Sequence, residues 1–186
     1  MPPNNVVVAP RSRKWIDDFA LGVRRAFQIP DDRAVDMLRL IELILPQVWD
    51  DFRYEIVPDR ELGDAEATTS MNERVIRISE SCYAAARRGH PRYPFTLAHE
   101  LGHLLLHTGR QTSLARGTVK AYVDPEWQAN AFASAFLMPP DGVKACGCIS
   151  DIMRRYGVSR PAAEFRANAL KLTLPFLPNT FMKKGC

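Results

Sequence analysis

From Ser12 onward, Trp15, Phe19, Val23 and Phe27 recur at every fourth position, a spacing that aligns them on one stripe of an amphipathic helix. Ala34, Leu38, Ile41 and Leu45 repeat that spacing after the acidic pair Asp31-Asp32. Pro46 lacks the backbone donor that a helix interior uses, so the second helix is expected to end there. Between residues 52 and 79 the period changes. Phe52, Tyr54 and Ile56 alternate with polar neighbours, as do Ile76 and Ile78 around Arg77, and Met71-Asn72-Glu73 sits as a hairpin turn between the runs AEATTS and RVIRIS. A small, mostly antiparallel sheet is the expectation. An alanine-rich helix over residues 81–88 and a Gly- and Pro-containing loop over residues 89–94 follow.

Two further helices carry the polar residues of interest. Residues 95–107 read FTLAHELGHLLLH, with Ala98, Leu101 and Leu105 spaced to face a core. In DPEWQANAFASAFLMPP, Asp124 is a natural N-cap and Pro125 suits the first helical position; the helix is expected to run to Leu137 and stop at Pro139-Pro140. Residues 150–156 and 160–170 form a short helix pair joined by Gly157-Val158-Ser159. Together these elements predict an α+β chain with a single domain over residues 12–178. A loose arm over residues 1–11, which hold three prolines, precedes it, and a tail over residues 179–186 follows.

Composition narrows the class. A chain of 186 residues, 46% hydrophobic, is long enough to bury a core. It has no uninterrupted apolar run of membrane-spanning length, and its first basic cluster follows rather than precedes a short apolar run, so a cytoplasmic location and no membrane contact are expected. The four cysteines, Cys82, Cys146, Cys148 and Cys186, show no disulfide framework, and Cys146-Gly147-Cys148 lacks the second pair that a metal knuckle needs. The formal charge of +4 permits an anionic partner without requiring one. Arg154, Arg155, Arg160 and Arg166 give the short helix pair a superficial likeness to a DNA reader. Its second helix has few side chains suited to base edges, however, so packing is expected there and direct nucleic-acid binding is not.

The chemistry concentrates in the helix at residues 95–107. His99 and His103 are four residues apart, so their imidazoles share one face and can close on one metal ion. Zinc suits such ligands and leaves a position for water, whose pKa it lowers to roughly 7. Glu100, displaced by about 100 degrees around the helix, lies near that ion without being a natural ligand and fits the role of general base. Gly102 occupies the helix interior at a cost of about 1 kcal/mol relative to alanine, which suggests a close approach by another element. His107, a further turn along, is too far to share the ion and reads as a supporting histidine, and His90 reads as a surface loop residue. The best third ligand is Glu126, although an acidic residue in a first helical turn is also favoured by the helix dipole alone. Asn130, one turn on, shares its face and is placed to hydrogen-bond a ligand or a substrate backbone. Tyr122 and His107 are candidates for stabilising an oxyanion.

FTLAHELGHLLLH, followed by E-x-x-A-N-x-F-A over residues 126–133 and Leu137-Met138-Pro139, resembles the ImmA/IrrE family of metallopeptidases. The resemblance runs from the RVIRIS strand to about residue 170, where Tyr156-Gly157-Val158-Ser159 is similar to the family's short turn between two helices. Pro94 stands where many relatives have a basic residue, with Arg92 two positions earlier. The resemblance implies a zincin-like fold and a gluzincin-like zinc site, with His99, His103 and Glu126 as ligands and Glu100 as catalytic acid/base. It further implies a protein substrate, a helix-turn-helix repressor or antitoxin encoded nearby, whose cleavage releases stress-response or mobile-element genes. Manganese or iron can occupy similar ligands. The alternative is a non-catalytic, metal-stabilised module that sequesters such a partner.

Overall fold

The computed structural model describes residues 5–70, 72–109, 113–115 and 119–177. Strand β1 (Asn5–Val7) leads into α1 (Arg13–Ala26), which starts where the Ser12 hydroxyl accepts a hydrogen bond from the Trp15 amide. The predicted stripe of Trp15, Phe19, Val23 and Phe27 flanks the buried line, whose innermost members are Ile16, Ala20 and Arg24.

The next helix departs from expectation at Pro46. It consists of α2 (Met37–Arg39), a π-helical stretch (Leu40–Ile44) and α3 (Leu45–Val48) in direct succession. In the π stretch the Leu45 amide bonds five residues back to the Leu40 carbonyl. That shift in register puts Pro46 at the start of a new α segment, where its missing donor is not needed, so the helix continues to Val48. Met37, Leu40, Ile41 and Leu45 are its buried positions, and Ala34 lies outside it.

Strand β2 (Arg53–Val57), helix α4 (Asp59–Leu62), strands β3 (Ala67–Thr69) and β4 (Val75–Ser79) and helix α5 (Glu80–Arg87) follow. The β3–β4 hairpin is antiparallel as expected, with Ala67 opposite Ile78 and Thr69 opposite Ile76; Met71 of its turn lies outside the described residues. The pairing of β2 corrects the expected pattern: β2 runs parallel to β4, from Arg53 opposite Val75 to Val57 opposite Ser79, so the three-stranded sheet is mixed in the order β2-β4-β3. Burial explains the order. In β4 only Arg77 is not buried, so this strand takes the centre, while β2 exposes Arg53 and Ile56 and forms an edge.

Helix α6 (Tyr93–Leu106) packs along α7 (Pro125–Leu137), and α1 packs against α7 as well. Gly102 is where α6 and α7 come closest. A Cβ there would lie 3.1 Å from the Ala129 Cα and 3.1 Å from a Phe132 ring carbon, so the interior glycine admits the backbone of the neighbouring helix. Strand β5 (Ser113–Ala115) pairs antiparallel with β1, and a short 3-10 turn (Ala121–Val123) precedes α7. The Val8 and Arg11 amides bond to the Val123 and Tyr122 carbonyls. The segment expected to be a loose arm is therefore tied down from Asn5 onward, because backbone pairing with β5 and the 3-10 turn satisfies its amides; residues 1–4 and the tail lie outside the described residues.

Helices α8 (Pro140–Lys144), α9 (Ile149–Tyr156) and α10 (Arg160–Ala169) close the domain, with Gly157 ending α9 in the left-handed conformation at φ 63°. The α9–α10 pair is a packing unit: Ile152, Tyr156, Ala163 and Ala167 are buried in the core. Arg166, one of the four arginines that give this pair its likeness to a DNA reader, is fully buried; it pairs with Asp17 at 2.8 Å and donates to the Met138 carbonyl at 2.8 Å. Arg24 is equally buried and donates to the Phe136 carbonyl at 2.6 Å and to those of Arg33 and Pro30. Among the described residues no helix is long and apolar enough to cross a membrane.

Candidate metal centre

Each side chain of the site has a local reason for its position. The apolar face of α6, including Leu97, Ala98, Leu101 and Leu104, is buried, which turns His99 and His103 together toward α7. At the start of α7 the Asp124 carboxylate accepts a hydrogen bond from the Glu126 amide, and Pro125 fills the first turn. This cap fixes Glu126 opposite the two histidines.

The resulting geometry is compact. His99 Nε2 and His103 Nε2 lie 2.9 Å apart, and each is 3.2 Å from a different oxygen of the Glu126 carboxylate. Around a tetrahedral zinc with bonds of about 2.0–2.1 Å, neighbouring ligand atoms stand roughly 3.3 Å apart, so the three donors match one face of such a tetrahedron. His99 Nδ1 is 2.9 Å from Asn130 Oδ1. An amide oxygen accepts, so it draws the imidazole proton to Nδ1 and leaves the Nε2 lone pair for a metal. Asn130, expected to meet a ligand or a substrate backbone, meets His99.

Electrostatics agree with the donor set. Hydrogen bonds from His103 and His99 hold the Glu126 carboxyl well below the usual carboxylate range, although its side chain is 65% exposed. Burial works to lower the His99 pKa, but the hydrogen bond to Glu126 and the Glu100 and Glu126 charges outweigh it and move it upward. A negatively charged carboxylate facing two imidazoles is a ready cation site.

Glu100 is 7% exposed and lines the same pocket of about 300 Å³ as the three donors, together with Ala67, Thr68 and Thr69 of β3. The Thr69 hydroxyl lies 2.8 Å from Glu100 Oε2 and 2.9 Å from its backbone carbonyl, and so donates to one or the other. Sequence reasoning missed Thr69. Its partner is 31 residues away, and a threonine in a strand carries no local mark of such a contact. Among the described residues His99, His103 and Glu126 form the one group of three donors able to share an ion. His107 caps α6, buried beside His103 with ring centroids 5.4 Å apart, and is not in that group. Neither His107 nor Tyr122 lines the pocket, so neither is placed to meet an oxyanion there. His90 is exposed, and Cys146 and Cys148 are buried free thiols.

Residues 65–168, more than half of the chain, match the M78 peptidase family model described as the IrrE N-terminal-like domain. The match covers β3, β4 and every side chain of the site, and begins earlier than the strand where the resemblance was first legible. No curated protein matches the sequence. Among solved structures, a Mycobacterium tuberculosis transcriptional regulator is similar at a TM-score of 0.49 and 20% identity, over 84% of this chain and 48% of that one. The chain thus spans about half the length of that regulator.

Proposed function

Given that the chain belongs to the M78 peptidase family of IrrE N-terminal-like domains, we propose that it is a zinc-dependent endopeptidase whose metal is held by His99, His103 and Glu126. The convergence of those three donors beside Glu100 carries the reading. When bound, zinc supplies Lewis-acid polarisation and a water of lowered pKa. Manganese and iron accept the same donors, and the choice among them belongs to metal analysis.

The chain's own residues do the rest. Glu100 acts as general base, taking a proton from the attacking water and passing it to the departing amine. Thr69 orients the Glu100 carboxylate by donating to Oε2, and Asn130 keeps His99 in the tautomer that presents Nε2. Strand β3 is an edge of the sheet and lines the pocket, so its open side can align an extended polypeptide by backbone pairing. The proposed substrate is a helix-turn-helix repressor or antitoxin encoded beside the gene, and this part rests on the family resemblance.

The test is to incubate the zinc-loaded protein with that neighbouring repressor and analyse the fragments by mass spectrometry. Cleavage is expected with the wild type and is expected to vanish in Glu100→Gln. Cleavage that persists in the variant overturns the assignment of Glu100. Release of the repressor from its operator without fragments points to sequestration.

A further inference from the structure

A second pocket adjoins the metal centre, and its walls differ in character. It encloses about 330 Å³, within the range of about 300–1,000 Å³ typical of ligand sites, and is lined by Phe95, Thr96, Asn130, Ala162 and Phe165, with Arg92 at its margin. Phe95 and Phe165 meet edge to face, with centroids 6.2 Å apart and an interplanar angle of 84°, and the Arg13 guanidinium lies 5.7 Å from the Phe165 ring. Phe165 is nevertheless 39% exposed, so its ring lies open at the rim.

Two side chains of this pocket's lining connect it to the centre. Asn130 lines it and also bonds to His99. Thr96 lines it one helical turn, about 5.4 Å, before Glu100. Strand β3 packs on α6, and the contacts at its two ends relate the two pockets. At one end of this stretch Thr69 bonds to Glu100, and at the other Glu66 accepts from Thr96 at 3.2 Å and from Arg92 at 3.1 Å. An extended chain lying along β3 advances about 3.3 Å per residue, so it passes from the metal pocket to this one within about three residues. Arg92, the charged residue of the lining, is paired with Glu66 at 3.1 Å, so its charge is already matched, and Phe95, Ala162 and Phe165 offer apolar surface.

We infer that this pocket receives a large apolar side chain of the polypeptide being cut, one to three residues from the reacting bond, with Phe165 and Ala162 setting its size. The inference rests on the peptidase reading above and names the class of residue that such an enzyme selects.

Alanine tripeptides bearing a hydroxamate at one end or the other serve as probes, together with versions in which leucine replaces each alanine in turn. Their affinities for the zinc-loaded full chain are measured by calorimetry, with no turnover required. At one position leucine is expected to tighten binding about tenfold or more. In Phe165→Asp that gain is expected to shrink to about twofold, with the all-alanine affinity unchanged, whereas Phe165→Leu keeps it. The position of Phe165 at the rim lets both variants fold, and their thermal melts check that they do. If leucine brings no gain at any position while the all-alanine probes bind, the apolar subsite is overturned and the metal centre stands. If no probe binds, the metal centre falls and the subsite with it. If the leucine gain survives but no protein is cleaved, the peptidase reading fails alone.

Discussion

The two ends of α7 treat charge in opposite ways. At its start the Glu126 side chain is 65% exposed and faces two imidazoles across a pocket. At its end, Arg24 and Arg166 are fully buried and donate to the Phe136 and Met138 carbonyls, among the carbonyls that a helix terminus leaves without internal partners. Both placements suit the helix dipole, which favours an anion at the N-terminus and cations at the C-terminus. They differ in what surrounds them. The closed end pairs its charges with Asp17, Asp31 and the two carbonyls and holds α1 and α10 to α7. The open end presents its polar atoms to a pocket.

If this contrast is right, substitutions at the closed end cost stability and those at the open end cost metal. The largest effect is expected for Arg166→Met, which leaves Asp17 without its ion pair and the Met138 carbonyl without its donor; unfolding in urea should show a loss of about 3–5 kcal/mol. Glu126→Gln is expected to lower the unfolding free energy of the metal-free protein by no more than about 1 kcal/mol, because the side chain is 65% exposed and its pairing with the imidazoles is screened. Its zinc affinity, read by competition with a fluorescent chelator, should fall by more than the 10- to 100-fold that losing an outer hydrogen-bond partner costs. Asn130→Ala removes only such a partner and should fall within about that 10- to 100-fold range in the same assay. Equal destabilisation by the Arg166 and Glu126 substitutions would erase the contrast.

The smallest effect concerns Cys82, a sealed polar group away from α7. Burial, followed by the nearby Glu66 charge, pushes its thiol from 9.0 up to about 12. The unfolded thiol therefore ionises first as pH rises, and the unfolded state binds fewer protons above pH 9. Stability falls with pH there, by about 1 kcal/mol between pH 9 and 10, as the unfolded thiol passes from half to nearly fully ionised. Cys82→Ala should remove that part of the slope in denaturation curves taken across this interval.

What the sequence disclosed follows the same division. Local signals sufficed for α1, α6 and α7, because their caps and apolar spacing lie within a few residues of one another. They also singled out His99, His103 and Glu126, which the structure brings together. Pro46 misled because a π-helical register, which no single residue announces, removes the need for its amide. The parallel pairing of β2 with β4 was hidden because strand order depends on which strand is buried on both faces. Arg24 and Arg166 look like surface charge in any periodic reading, and it is the backbone carbonyls together with Asp31 and Asp17 that make their burial tolerable. Thr69 belongs with them, since its role exists only through Glu100.

The anchoring of the amino-terminal strand has a consequence for the order of assembly. The Ala9 carbonyl accepts a hydrogen bond from the Gln128 side chain, 119 residues away, and β1 has no strand partner among the described residues until Ser113–Ala115 exist. During synthesis β1 is thus made well before it can dock, because the loop that its docking closes spans 119 residues and its entropy must be met before the contacts form. The same Gln128 side chain also bonds to the Tyr122 carbonyl, beside the start of α7. Docking of β1 and final settling of the turn that precedes Glu126 are therefore one event, and metal uptake is expected to lag behind formation of α1 and the sheet.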